Sequence, residues 1–161
     1  MCGVLIGLQR NGWEDVPVIA VETDGAQSFA KAMEAGAPVA LEGGITSVAK
    51  SLGATTASAN AVKMSKAHPG TVTPVVVSDL AAVRACCNFA DDHRCLVEPA
   101  CGAALAGAAY DREGVNAGVR RAVVAGEAGS VRHVVAIACG GNIVTRSMLK
   151  NWMAALKTKA A

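Results

Sequence analysis

The residues best suited to chemistry lie near the C-terminus, where an apolar run ends in Cys139-Gly140-Gly141-Asn142. The run, residues 134–138, is short, partly β-branched and followed by glycines, which is typical of a strand buried on both faces of a parallel sheet. We therefore predict a strand over residues 131–139. Its carboxyl end, where open α/β sheets bind ligands, would carry the Cys139 thiol. A thiol beside bare glycine backbone is suited to contact a flat heterocycle.

The elements that must position this thiol alternate along the chain. Two further short strands are predicted over residues 17–22 and 73–77. Helices are predicted over residues 3–10, 28–35, 48–51, 57–67, 80–92, 100–110, 117–125 and 146–156. This alternation predicts an α/β fold in which helices flank part of a mostly parallel open sheet. Three strands are few, because sheets usually have about 4–6, so we expect strands of the same sheet outside this chain.

Composition narrows the functional class. The 161 residues show no internal domain boundary and are predicted to form a single domain. The net charge of +2 favours neither a nucleic acid nor a membrane surface as a partner. Hydrophobic residues make up 52% and charged residues only 17%, and the mean hydropathy is +0.36. No apolar stretch approaches the roughly 20 residues of a membrane span. We expect a tight oligomer or a larger assembly to cover the apolar surface.

Cysteine usage indicates a reducing compartment. Six cysteines are present, but two of them, Cys86 and Cys87, are adjacent in a helical pattern, and the first residues do not resemble a secretory signal. Free thiols are therefore expected, and we expect a cytoplasmic protein.

Four blocks of the chain resemble one enzyme family. They are DVPVIAVETDGAQSF (15–29), ITSVAKSLG (45–53), LVEPACGAAL (96–105) and CGGN (139–142). Their order and spacing are similar to those of the serine/threonine dehydratase family of fold-type II pyridoxal 5′-phosphate (PLP) enzymes, and most similar to its L-serine dehydratase, or L-serine ammonia-lyase, branch. The resemblance covers nearly the whole chain.

The resemblance implies that residues 1–161 are the C-terminal part of the PLP-dependent large domain. The family's Schiff-base lysine, small domain and glycine-rich phosphate loop would all precede Met1, so no catalytic residue is assigned within this chain. The implied activity converts L-serine to pyruvate and ammonia, or L-threonine to 2-oxobutanoate, with the isolated chain inactive. It also implies a homodimer and a role in amino-acid metabolism and gluconeogenesis.

The resemblance also implies a partial cofactor site. Cys139 would lie beside the pyridine nitrogen of PLP, and Gly140 and Gly141 would let the backbone approach the ring. A thiol at that nitrogen does not hold it protonated as a carboxylate would, which suits elimination of water from serine.

A monovalent-cation site, with potassium as the usual ion, is implied as well. Its ligands would be the Glu22 carboxylate, the Ala26 carbonyl, the Ser28 hydroxyl and the carbonyls of Leu52 and Ala54. Hard oxygen ligands from loops at strand ends are chemically suited to such an ion. The family often has valine at the position of Ala54, a change that a carbonyl ligand tolerates.

A second function stays open at this point. Without the lysine, the chain could be a non-catalytic fragment that acts as an interaction or oligomerisation domain through its apolar sheet edge. An in-frame lysine motif and glycine loop upstream of Met1 would favour the enzyme.

Overall fold

The computed structural model describes residues 1–108 and 133–160. Two strands, β1 (Val18–Thr23) and β2 (Val72–Val77), are accompanied by six helices in this part of the chain. The helices are α1 (Cys2–Arg10), α2 (Ser28–Ala35), α3 (Ala59–Ala67), α4 (Asp79–His93), α5 (Pro99–Gly107) and α6 (Arg146–Ala160). A short 3₁₀ turn, Lys50–Leu52, replaces the helix predicted over residues 48–51. The helix predicted over 117–125 lies outside the described residues.

The two strands form a parallel pair, with Val18 opposite Val72 and Thr23 opposite Val77. Successive side chains of a strand point to opposite faces of the sheet. Accordingly, Ala20 packs with α2 and α3, whereas Ile19 and Val21 pack against the cluster formed by the later helices. Helices therefore cover both faces of a parallel sheet, and the predicted α/β architecture is confirmed.

The strand predicted over residues 131–139 is wrong for the part that the structure describes. Residues 133–139 have no strand conformation, and Val135 is 87% exposed. A strand needs a neighbour to pair its backbone groups, and the strand pairing between β1 and β2 leaves this segment out. The apolar pattern that predicted a buried strand therefore describes side chains that lie on the surface.

The larger hydrophobic core lies between α4, α5, α6 and one face of the sheet. Val77, Val83 and Leu105 are almost completely buried in it. Helix α5 packs very closely on α4, because a Cβ at Gly102 would overlap the Ala82 carbonyl oxygen and the Cys86 sulfur. Such an approach is available only to glycine, which explains a helix composed almost entirely of alanine, glycine and leucine.

Local signals explain where the helices begin and end. Ser58 and Ser78 accept hydrogen bonds from the backbone N–H groups of Ala61 and Ala81 and so cap α3 and α4. Thr145 accepts a bond from the Met148 N–H at the start of α6, and Gly36 ends α2 in the left-handed conformation at φ 75°. Within the described residues, no helix is long and apolar enough to span a membrane.

Candidate functional site

Glu22 lies at the carboxyl end of β1 and binds the beginning of α2. Its side chain is 8% exposed, and its two carboxylate oxygens accept hydrogen bonds from the backbone N–H groups of Phe29 (2.9 Å) and Ala30 (2.8 Å). Gln27, which precedes the helix, provides no side-chain cap of its own. The carboxylate of Glu22 therefore takes the place of the missing cap.

Burial sets the protonation behaviour of this carboxyl group. Desolvation raises the pKa of Glu22 above its ordinary value, while the hydrogen bonds from Phe29 and Ala30 oppose that rise. A nearby cation would favour the ionised form. Each carboxylate oxygen retains a lone pair after its helix bond, so the group can still act as a ligand.

The other predicted cation ligands lie in two loops. Ala26 and Ser28 are buried and follow Glu22 in a turn closed by the Ala26 N–H and the Thr23 carbonyl at 2.9 Å. Leu52 ends the 3₁₀ turn, and its carbonyl accepts a bond from the N–H of exposed Ala54 at 3.1 Å.

The two loops are joined directly. The Thr46 N–H donates to the Gly25 carbonyl at 3.1 Å, and a Cβ at Gly25, which has φ +80°, would overlap the Thr46 hydroxyl. Three of the five predicted groups thus lie between the end of β1 and the first residue of α2, and the other two lie in the neighbouring loop. Their convergence on one ion stays a prediction.

A buried polar network that sequence reasoning missed holds this second loop. The Ser47 hydroxyl lies 2.7 Å from the Thr23 hydroxyl and donates to the Asp79 carboxylate at 2.5 Å. The other Asp79 oxygen accepts a bond from the Val48 N–H at 3.0 Å, and Ser47 accepts one from the Ala49 N–H at 2.9 Å. The network ties the loop to the carboxyl ends of both strands. The sequence signal was a polar residue at or just beyond the end of each strand, at Thr23 and Asp79.

The predicted cofactor-contacting segment is attached to the first turn of α5. The Cys101 sulfur accepts hydrogen bonds from the N–H groups of Cys139 (3.3 Å) and Gly140 (3.1 Å). The Gly140 carbonyl accepts a bond from the Glu98 N–H at 3.3 Å. The Cys139 side chain itself is exposed. The segment therefore presents a free thiol from a backbone fixed by α5.

The two glycines are required by this packing. A Cβ at Gly140 would overlap the Glu98 carboxylate, and a Cβ at Gly141 would overlap the Leu96 carbonyl oxygen. On this side their bare backbone accommodates α5 and the residues before it. The predicted approach of a coenzyme ring concerns the opposite side and stays a prediction. The chemistry of an exposed thiol beside two glycines is compatible with a wall of a cofactor site, and the contact of Cys139 with the PLP ring nitrogen stays a prediction.

A surface cavity of about 470 Å³ lies elsewhere. It is lined by residues at the end of α2 and along α3, namely Gly36, Ala37, Pro38, Ala59, Val62, Lys63, Lys66 and Ala67. None of the predicted site residues contributes to it, so we do not assign it to the cofactor.

Comparison with known proteins decides the family. Residues 1–140 match the family model described as pyridoxal-phosphate dependent enzyme. The chain belongs to this family. The resemblance inferred from the four sequence blocks is therefore confirmed, and the PLP-dependent family implies pyridoxal phosphate as the cofactor.

Individual relatives are consistent with that assignment. The chain is 45% identical over 151 residues to L-serine dehydratase/L-threonine deaminase of Homo sapiens, covering 93% of this chain and 43% of the relative. It is 55% identical over 106 residues to the Bos taurus protein of the same name, covering 66% of this chain and 32% of the relative. The chain thus spans less than half the length of these relatives.

A solved structure shows the same fold. The crystal structure of a fungal L-serine ammonia-lyase from Rhizomucor miehei matches with a TM-score of 0.78 and 32% sequence identity, covering 94% of this chain and 45% of the fungal chain. The α/β arrangement of the described residues is thus shared with part of this fungal L-serine ammonia-lyase.

Proposed function

We propose that this chain is the C-terminal part of a PLP-dependent L-serine ammonia-lyase, which also accepts L-threonine. The products would be pyruvate or 2-oxobutanoate, together with ammonia. The observation that carries the proposal is the exposed Cys139 thiol, held on a backbone that Cys101 and Glu98 fix, in a chain of this family.

The described residues would hold one side of the cofactor. When bound, PLP withdraws electrons from the substrate's α-carbon, so that its proton and then the β-hydroxyl can leave. Cys139 would orient the ring by a hydrogen bond at its nitrogen without keeping that nitrogen protonated. Residues outside this chain would supply the lysine that anchors the cofactor, so we expect the isolated chain to be inactive.

We further propose a potassium ion near the cofactor, bound by Glu22, Ala26, Ser28, Leu52 and Ala54. Two observations support it: Glu22 is a buried carboxylate with free lone pairs, and the Gly25–Thr46 bond joins the two loops that carry all five groups. The ion would compensate the cost of burying the Glu22 charge.

We also propose a cytoplasmic homodimer that serves amino-acid metabolism and gluconeogenesis. All six cysteines are free, which supports a reducing compartment. The exposed side chains of Val134, Val135 and Ile137 are apolar surface that an assembly could cover.

The test compares the 161-residue chain alone with the chain co-expressed with the remaining N-terminal portion of a mammalian relative. Pyruvate formation from L-serine is followed by coupled oxidation of NADH. We expect no pyruvate and no specific lysine labelling by borohydride with PLP for the chain alone, and pyruvate formation after complementation.

Variants at one position make the test specific. In the complemented enzyme, Cys139→Ala should lower kcat/KM about tenfold, the value of one hydrogen bond of about 1.4 kcal/mol. Cys139→Ser places a hydroxyl where the thiol was and should keep most of the parent's activity. Cys95→Ala, at another exposed cysteine, is the control and should have no effect on activity. Equal activity of all three variants and the parent would refute the assigned role of Cys139.

The alternative function, a non-catalytic interaction domain, is favoured by one observation. Residues 133–139 present an apolar surface that the other described elements leave uncovered. A complemented preparation that forms a stable complex and binds PLP but releases no pyruvate would support this alternative.

A further inference from the structure

Two cysteines that are distant in sequence meet at the beginning of α5. The Cys101 sulfur lies 3.3 Å from the backbone nitrogen of Cys139. Because N and Cα are about 1.46 Å apart, the Cys139 Cα lies within about 4.8 Å of that sulfur. A cysteine sulfur lies about 2.8 Å from its own Cα and a disulfide S–S bond is about 2.05 Å long, so a sulfur within about 4.8 Å of another cysteine's Cα is within reach of that cysteine's sulfur. Rotation of the two side chains, with a small backbone adjustment, can therefore bring the sulfurs together.

The two thiols differ in exposure and reactivity. Cys139 is exposed, whereas Cys101 is 3% exposed. Burial raises the pKa of the Cys101 thiol, and the N–H groups of Gly140 and Cys139 partly oppose this rise. A small oxidant in solution therefore meets Cys139 first, and Cys101, whose sulfur lies against the Cys139 backbone, is the neighbouring thiol.

We propose that Cys101 and Cys139 are a redox-sensitive pair that closes to an intrachain disulfide when the chain meets hydrogen peroxide. The thiolate of Cys139 attacks one peroxide oxygen, the O–O bond breaks, and the departing hydroxide takes a proton to become water. The resulting sulfenic acid is attacked by the thiolate of Cys101. The S–S bond forms and the sulfenic hydroxyl leaves as a second water. The two cysteines lose two electrons and two protons, and the peroxide gains them.

The site also has a consequence for catalysis, and that consequence alone rests on the proposed function. The disulfide withdraws the Cys139 thiol from the wall assigned to the coenzyme ring. Oxidation would then lower the activity of the complemented enzyme, and a thiol reductant would restore it.

The experiment treats the 161-residue chain with hydrogen peroxide, alkylates the free thiols and maps the peptides by mass spectrometry. We expect two of the six thiols to become protected, with a mass decrease of about 2 Da that dithiothreitol reverses. Trypsin yields residues 95–112 and 133–146 as separate peptides, and oxidation should link them. Since the first peptide contains both Cys95 and Cys101, the Cys95→Ser variant must retain the link.

The remaining variants identify the partners. Cys139→Ser and Cys101→Ser should each abolish the link, and circular dichroism reports whether the buried Cys101→Ser variant still folds. Cys139→Ser changes an exposed side chain and keeps the test valid if Cys101→Ser does not fold. The rate of closure should rise with pH, because the attacking group is the Cys101 thiolate.

Three results would overturn the proposal: a link that persists in Cys139→Ser, a disulfide only between two chains, or oxidation of Cys139 that stops at the sulfinic acid. Its failure is distinguishable from failure of the proposed function. Peptide mapping reports the disulfide without PLP or substrate, and pyruvate formation is measured under reducing conditions.

Discussion

Asp79 provides the sharpest test of how the loop near the predicted cation site is held. Replacement by alanine removes the acceptor for the Ser47 hydroxyl at 2.5 Å and for the Val48 N–H at 3.0 Å. Ser47 is 1% exposed, so water cannot readily replace the lost partner. The substitution thus leaves the half-buried Val48 N–H without its acceptor and the Ser47 hydroxyl with Thr23 as its remaining side-chain partner.

The magnitude follows from these two bonds. A hydrogen bond to a charged group contributes about 1.5–3 kcal/mol, which gives about 3–6 kcal/mol for the pair. Asp79 itself is only partly buried, so we expect the lower part of that range, about 3 kcal/mol. Asp79→Asn keeps one acceptor oxygen but directs an amide N–H at a donor, and should lose about half as much. The usual stability of a domain is about 5–15 kcal/mol, so either loss is easily measured.

Urea unfolding of the full chain, followed by circular dichroism and tryptophan fluorescence, measures the change. Asp91→Ala is the matched control, because Asp91 is an exposed carboxylate on the same helix, α4, and should change the free energy of unfolding by less than about 0.5 kcal/mol. If Asp79→Ala is no more destabilising than Asp91→Ala, the network does not hold the loop, and the reasoning is refuted.

Three further predictions concern the elements around the site. The first concerns Glu22, whose pKa is raised in the folded chain. Its contribution to stability is complete below the unfolded-state pKa and is lost as pH rises through the folded-state pKa. Urea unfolding from pH 4 to 7 should therefore show the parent losing stability relative to Glu22→Gln, and a pH-independent difference would contradict this. Gly102→Ala should lower the free energy of unfolding by about 1–3 kcal/mol through overpacking. The control, Gly7→Ala, lies in an open part of α1 and should raise the free energy of unfolding by about 0.5–1 kcal/mol. Equal effects of the two substitutions in thermal melts would count against the close contact of α5 with α4. Ser58→Ala should cost about 1 kcal/mol by removing the α3 cap, measured against Ser51→Ala, and no difference between the two would mean that the cap contributes nothing.

Local signals in the sequence were sufficient for most of the fold. The helix predicted over residues 28–35 coincides with α2, because Gly36 supplies a stop that depends only on its own conformation. Predicted strands 17–22 and 73–77 differ from β1 and β2 by one residue at their ends. The cap provided by Ser78 is also local, since a serine before an apolar helical pattern is typical of a helix beginning.

Pairing between distant segments was not predictable in the same way. The run at residues 134–138 has the composition of a buried strand, yet composition cannot say whether a neighbouring strand is present to pair with it. The Ser47–Asp79 bond joins residues 32 positions apart, and the Cys101–Cys139 contact joins residues 38 apart. Only the folded chain reveals such contacts, because separations of this length correspond to no repeat of a helix or a strand.

The exposed segment at residues 133–139 has a consequence for handling the protein at high concentration. Residues 134–138 contain no charge and no proline and include β-branched side chains, which is the composition of segments that nucleate aggregation. Precipitation of the isolated chain should therefore rise steeply with concentration. A single lysine in place of Val135, whose side chain is 87% exposed, would act as a gatekeeper and delay turbidity without disturbing the core.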